Sequence, residues 1–241
     1  MRLAINLRTY SSTNDRNPSI QSYVRNVVRL LDVVSRRDRI TVYALDAQVD
    51  AVRCIAPNAR IVALPEFTAE AAIQEDLLHT RPDVLFCPLG SLEPQDTLVP
   101  AAVTFCDSHF ERLPRPFDSN TMARFRQIYS ATVLRASKVF AFSEGTRQLL
   151  VETFVIDPEK VQVVRPGADE NLVPLLQRHL EPAWPYLFHA DRLRLSSETV
   201  NLLRAIRRFT EERPECGWCW TAISPDRMPT APSVRPESSR L

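Results

Sequence analysis

Lysine is nearly absent: Lys138 and Lys160 are the only two among 30 basic residues. The arginines that replace it are scattered along the chain, so the excess reads as base-composition bias and not as a binding patch. Charge of one sign is lacking too, with 30 Lys and Arg against 29 Asp and Glu and a net charge of +1. Nothing there argues for nucleic acid or an acidic polymer as partner. Long apolar runs are missing. No stretch approaches the roughly 20 residues of a membrane span, and the apolar run in Met1-Arg2-Leu3-Ala4-Ile5-Asn6 is far too short for a signal peptide. The expectation is a cytoplasmic protein, with peripheral contact at the inner membrane as the one membrane association left open.

Paired cysteine chemistry is also lacking. The five cysteines are Cys54, Cys87, Cys106, Cys216 and Cys219. The first three lie in apolar, core-like contexts, which suits a reducing compartment where buried thiols behave as small hydrophobes. Cys216-Gly217-Trp218-Cys219 is a lone C-x-x-C, and a zinc site would need a second ligand pair. No metal and no cofactor are expected.

What is present is an alternation of short apolar runs and amphipathic segments. Strands are expected at Leu3–Ile5, Ile40–Leu45, Arg60–Leu64, Val84–Cys87, Ala101–Cys106, Val139–Phe142 and Val161–Val164. Asn17-Pro18 opens a helix as cap and first helical residue, continued by Ile20, Val24, Val27, Leu31 and Val34 at helical spacing. Further helices are expected at Ala47–Ala56, Ala69–His79 and Asp118–Arg135, and after Ser143. In the Asp118–Arg135 helix Met122, Phe125, Ile128, Tyr129 and Val133 face inward. That stripe fits core packing, and a helix lying on a membrane is the alternative. Strand and helix alternating at this spacing imply parallel pairing with helical crossovers. Strands with little alternation imply burial on both faces.

The fold class is therefore α/β, a Rossmann-like doubly wound parallel sheet over residues 1–171, followed by a Pro-punctuated linker at 172–185. A second Rossmann-like domain then begins and is left incomplete at 186–223, with a strand at Tyr186–Ala190, a helix at Ser196–Glu212 (Val200, Leu203, Ile206 and Phe209 inward) and one more strand from Gly217. The Pro- and Ser-rich segment 224–241 reads as a disordered tail.

Several segments carry a resemblance. They are Met1-Arg2-Leu3-Ala4-Ile5-Asn6-Leu7-Arg8, Arg81-Pro82-Asp83-Val84-Leu85-Phe86, Val103-Thr104-Phe105-Cys106-Asp107, the stretch Arg135 to Arg147 with Ser143-Glu144-Gly145-Thr146-Arg147, and Asp157 to Asp169 with Arg165-Pro166-Gly167. In order and spacing this set resembles the two-domain (GT-B) family 4 glycosyltransferases over roughly residues 1 to 212. The stretch from Arg135 is the closest match, similar to a strand-to-helix turn of the form R-A-D-x-hydrophobic-x-hydrophobic-S-E-x-T-R.

The resemblance implies a retaining, metal-independent transfer of a sugar from a nucleotide-sugar donor to a saccharide or lipid-linked acceptor, in polysaccharide biosynthesis. The donor would be a substrate, not a cofactor. Asp107 takes the catalytic position, and Arg8, Cys106, His109, Ser143, Glu144, Arg147, Gly167 and Arg192 the substrate-binding positions. The residues alone also support structural roles. Ser143 and Glu144 read as a helix cap with an acid near the dipole, Arg147 as a surface ion pair, and Gly167 as a turn needing positive φ.

Departures from the family pattern fall where phosphate would bind. Asn17-Pro18-Ser19-Ile20-Gln21 stands where a glycine turn would expose backbone N–H groups. Cys106 replaces a histidine, and a thiol is a weak donor. Arg192 and Arg194 are opposed by Asp191, and the family's later glutamate pair is absent from these 241 residues. Two other expectations follow. One is a non-catalytic acceptor- or partner-binding module, with a partner chain completing the second domain. The other is that the segment from about Cys216 is a truncation or frameshift product.

Overall fold

A computed structural model gives the fold. It describes residues 1–8, 10, 18–34, 39–106, 118–167, 186–190, 197–213 and 217–221, with backbone alone for 18, 19, 186–190, 197–199 and 217–221. The chain divides into two compact units, Met1–Glu170 and Asn171–Leu241.

The first unit runs β1 (Arg2–Asn6), α1 (Pro18–Val34), β2 (Arg39–Leu45), α2 (Val49–Ile55), β3 (Arg60–Leu64), α3 (Ala69–Thr80), β4 (Val84–Cys87), β5 (Ala101–Phe105), α4 (Ser119–Arg135), β6 (Lys138–Ala141), α5 (Glu144–Phe154) and β7 (Val161–Val163). The seven strands form one sheet in the order β3-β2-β1-β4-β5-β6-β7. Every neighbouring pair is parallel. The protein is thus an α/β, Rossmann-like doubly wound sheet.

Side chains alternate across the pleat, and the central strands are apolar on both faces as expected. Leu3 and Ile5 of β1, with Ile40, Val42 and Ala44 of β2, pack under Val24 and Val28 of α1 and Val52 and Ile55 of α2. Ala4, Tyr43, Leu85, Val103 and Val139 point the other way, under Ile73 and Leu77 of α3, Val133 of α4 and Leu150 of α5. The switch of faces follows from right-handed crossovers. From β1 to β3 the sheet grows in one direction, and from β3 onward the chain moves in the other.

Local chemistry explains the helix ends. Asp118 caps α4, its Oδ1 accepting from the N–H groups of Asn120 and Thr121 at 3.0 Å. Ser143 caps α5, its Oγ accepting from Thr146 N–H at 3.1 Å. Each such cap contributes about 1 kcal/mol. At the far end of α5 the chain enters the left-handed region at Val155 (φ 50°), a β-branched residue that is 88% exposed.

Three expectations meet corrections here, on the burial of Cys54, the ends of two strands and the backbone of Gly167, and one, the core packing of the α4 stripe, is met. Cys54 is exposed, because Val52 and Ile55 take the inward face of α2 and leave Cys54 outside. The sixth strand starts at Lys138, one residue earlier than expected, and β5 ends at Phe105. Gly167 does not adopt positive φ; Gly90, at φ 78°, is the only glycine among the described residues that does. In the stripe on α4, Met122 and Val133 are buried and Tyr129 meets the buried Phe105 edge-on at 4.7 Å, so the helix packs on the core.

The second unit contains β8 (Tyr186–Ala190), α6 (Ser197–Glu212) and β9 (Gly217–Thr221), a parallel β-α-β unit in which Tyr186 pairs with Gly217. Of the expected inward stripe on α6, Ile206 is buried, whereas Val200 and Leu203 are 39% and 40% exposed. A pair of strands is narrower than the stripe a 16-residue helix presents. The linker and tail segments lie outside the described residues.

Candidate functional site

In an all-parallel sheet every strand delivers its carboxyl end to one rim, and ligands sit there where the strand order reverses. Here the reversal lies between β1 and β4. The loops leaving β1, β4, β5, β6 and β7 along that rim carry Arg8, Glu93, Cys106, Ser143 and Gly167 respectively.

At the reversal point Asn6, the last residue of β1, is buried and fully engaged. Its Oδ1 accepts from Arg8 N–H at 3.0 Å and its Nδ2 donates to the Glu93 carbonyl at 2.9 Å. This ties the exit of β1 to the loop after β4. Across the same gap the Arg8 guanidinium pairs with the Glu93 carboxylate, both side chains being about three-quarters buried or more (26% and 20% exposed). Ser91 Oγ donates to Glu93 Oε1 at 3.4 Å. Gln48 steadies the backbone beyond β1, its Nε2 donating to the carbonyls of Arg8 and Tyr10. Cys87 Sγ lies 3.9 Å from the Glu93 carbonyl, and burial pushes that thiol up to about 12, so it stays protonated.

A second cluster sits over β5 and β6. Tyr23 reaches across from α1 and pairs its hydroxyl with Thr104 Oγ1 at 3.1 Å. Its ring meets Phe142 edge-on at 4.6 Å. Burial raises the Tyr23 hydroxyl above its ordinary value; the Thr104 hydrogen bond works against that rise and the nearby Cys106 adds to it. Cys106 is half-buried at the exit of β5. The exit of β6 is one strand further along, about 5 Å away at the usual spacing.

The structure brings some of the expected residues together and separates others. Arg8 and Cys106 lie two strand spacings apart, roughly 10 Å. Gly167, beyond β7, lies at least four spacings from β1, roughly 19 Å, and is exposed. Ser143 Oγ is engaged in the cap and with Thr146 Oγ1 at 3.0 Å. Glu144 is exposed and stands 4.0 Å from Arg147. Arg147 points away from the rim chemistry. Its Nε donates to the Val161 carbonyl and a terminal nitrogen to the Pro158 carbonyl, each at 3.1 Å, which clamps α5 to the start of β7. Asp107, His109 and Arg192 lie outside the described residues.

The sequence reading passed over Asn6, Tyr23, Gln48 and Glu93. Glu93 had a usable signal: it is an acid in the loop leaving β4, the strand that a doubly wound order sets beside β1 at the reversal. Tyr23 had none, because it sits in the helical stripe that reads as core.

No protein-family model matches the chain, and no curated protein matches it. Solved structures do. A protein from Listeria monocytogenes described as a UDP-N-acetylglucosamine 2-epimerase superposes with a TM-score of 0.52 at 14% identity, covering 91% of this chain and 61% of that one. A UDP-GlcNAc 2-epimerase from Neisseria meningitidis bound to UDP-GlcNAc gives 0.50 at 13% identity, covering 91% and 65%. S. aureus MnaA, solved with UDP, gives 0.50 at 12% identity, covering 91% and 61%. At these identities the likeness establishes the α/β GT-B type of fold. The chain spans about three-fifths of the length of these structures.

Proposed function

We propose that this chain supplies the acceptor-side half of a nucleotide-sugar-dependent GT-B enzyme, with its sugar chemistry at the carboxyl-end rim between β1 and β5. The observation that carries the reading is the paired, largely buried Arg8–Glu93 couple at the strand-order reversal, on the same rim as Cys106 two strands away. That rim is where sheets of this kind take their ligands. Glu93 accepts from sugar hydroxyls, while Arg8 holds it in orientation. Asp107, next after Cys106, takes the catalytic position that the family 4 resemblance implies.

The reaction we assign is retaining transfer of a sugar from a nucleotide diphosphate to a saccharide or lipid-linked acceptor. In such a transfer, positive groups near the leaving diphosphate stabilise the charge that develops on it. Arg192 in the second unit is this chain's candidate for that role. UDP and UDP-GlcNAc in the similar solved structures support a uridine diphosphate donor.

One observation favours a second reading, the non-catalytic module. Arg8, a candidate substrate contact, is already neutralised by Glu93. Calorimetric titration of UDP into the purified chain separates the two. Millimolar or tighter binding supports the transferase reading; absence of binding supports the module.

A further inference from the structure

The opposite rim of the same sheet carries a pattern that scattered arginines conceal in the sequence. Arg2, Arg39 and Arg60 are the first residues of β1, β2 and β3, three neighbouring strands. Arg2 and Arg39 are register partners, and Arg60 pairs with Thr41, two residues above Arg39. Like charges at adjacent positions of neighbouring strands destabilise a sheet, so the Arg2–Arg39 register pairing works against the fold. All three line one groove of about 510 Å³, together with Thr41, Asn58 and Thr80.

Two of the guanidinium groups are buttressed. Arg60 grips Asp76 with both terminal nitrogens, at 2.7 and 3.1 Å. Arg2 donates to the Thr80 carbonyl at 3.1 Å and to Asp83 at 3.4 Å. Each keeps N–H donors to spare, since a guanidinium has five. Asn58 is fixed from behind by the buried Asp32, whose Oδ2 accepts from its Nδ2 at 2.7 Å. Arg39 differs from the other two: among the described residues no acid or carbonyl partners its side chain. The groove therefore holds one uncompensated cation flanked by two pre-oriented ones. Across β1, β2 and β3 it spans two strand spacings, roughly 10 Å.

We propose that this groove binds a phosphate-bearing anion of diphosphate or phosphodiester size, with Arg39 as the principal contact and Arg2 and Arg60 as oriented flanks. Guanidinium groups suit this ligand, because their forked donors match phosphate oxygens in pairs. The anion is either a soluble phosphate compound or a phospholipid headgroup. The site lies at the amino-end rim, separate from the sugar site, and stands whether or not that reading holds.

The test titrates sodium pyrophosphate into the full chain at low salt by calorimetry, for the wild type, Arg39→Gln and, as a surface-charge control, Arg207→Gln. Arg39 is exposed and has no side-chain partner among the described residues, so its variant should unfold at the wild-type midpoint. Arg39→Gln is expected to weaken binding about tenfold, the effect of one lost charge-assisted hydrogen bond, with Arg207→Gln unchanged. Absence of pyrophosphate binding, equal binding by Arg39→Gln, or an equal loss in Arg207→Gln overturns the proposal. Where pyrophosphate binds through Arg39, flotation with phosphatidylglycerol-containing vesicles against pure phosphatidylcholine vesicles identifies the source. Capture lost in Arg39→Gln assigns a lipid headgroup, and no capture assigns a soluble phosphate.

Discussion

The two rims of the seven-stranded sheet are built from the same strands and use their polar groups in opposite ways. At the carboxyl-end rim they are buried and mutually satisfied. Asn6 serves two backbone partners, Arg8 and Glu93 are paired, and Tyr23 is bonded to Thr104. At the amino-end rim the arginines are exposed, half-committed to Asp76 and Asp83, and one of them has no partner among the described residues. Satisfied buried groups hold a geometry in place, which a site of directional hydrogen bonding requires. Exposed, incompletely matched cations attract anions. Charge counts along a chain therefore say little about sites. A net charge of +1 coexists with a local row of three arginines, because strand order, not sequence distance, brings residues 2, 39 and 60 together.

Among substitutions at the two rims, the largest effect is expected at the carboxyl-end rim. Asn6→Leu leaves the Arg8 N–H and the Glu93 carbonyl without their partner. It should lower unfolding stability by about 2 kcal/mol, the cost of stranding buried polar groups, as read from denaturant midpoints. A change within a few tenths of a kcal/mol would mean that the loop after β4 is not held by β1.

Tyr23→Phe removes only the hydroxyl bond to Thr104 and should cost about 1 kcal/mol, again by denaturant titration. A stabilised variant would show that the hydroxyl is not paired. A control outside both proposed sites is Val155→Gly. It relieves a β-branched residue from the left-handed region and should raise stability by about 1 kcal/mol, seen as a higher thermal midpoint.

The smallest effect at neutral pH is expected at the amino-end rim, with Asp76→Asn. Burial raises the Asp76 carboxyl, but hydrogen bonds from Arg60 and Tyr43 together with the Arg60 charge outweigh that and hold it below its ordinary value. A carboxyl depressed in the folded state adds stability above its unfolded value, near 3.9, that is lost as pH falls through the folded one. The wild type should therefore lose stability on acidification below about pH 4 by an amount that the variant does not lose. At neutral pH the variant should be weaker by less than about 1 kcal/mol, because the pair is partly solvent-screened. Parallel acid limbs for the two proteins would remove Asp76 from the account.

The architecture was largely legible in the amino-acid order. Arg60–Leu64 and Val84–Cys87 form strands at the boundaries read from their apolar runs, and Ser143 caps the helix it was expected to cap. These features rest on local chemistry: burial on two faces, or a hydroxyl three residues from an orphan N–H. What was not legible depends on which strands become neighbours. Glu93 meets Arg8 across 85 residues only because β4 inserts beside β1. The arginine row likewise needs the order β3-β2-β1. Helical periodicity also misleads where cover is thin, as at Val200 and Leu203 on α6, and a glycine such as Gly167 has no conformational role merely because it lies in a loop.

We propose sugar-nucleotide chemistry at the carboxyl-end rim, at the β1–β4 reversal. The most direct test is a titration of UDP-GlcNAc into isotope-labelled chain, followed by amide NMR in the wild type and in Arg39→Gln. The account predicts shifts at Arg8, Glu93, Cys106 and Ser143 that are the same in both proteins. Shifts confined to the strand starts at Arg2, Arg39 and Arg60 and abolished by Arg39→Gln would contradict it.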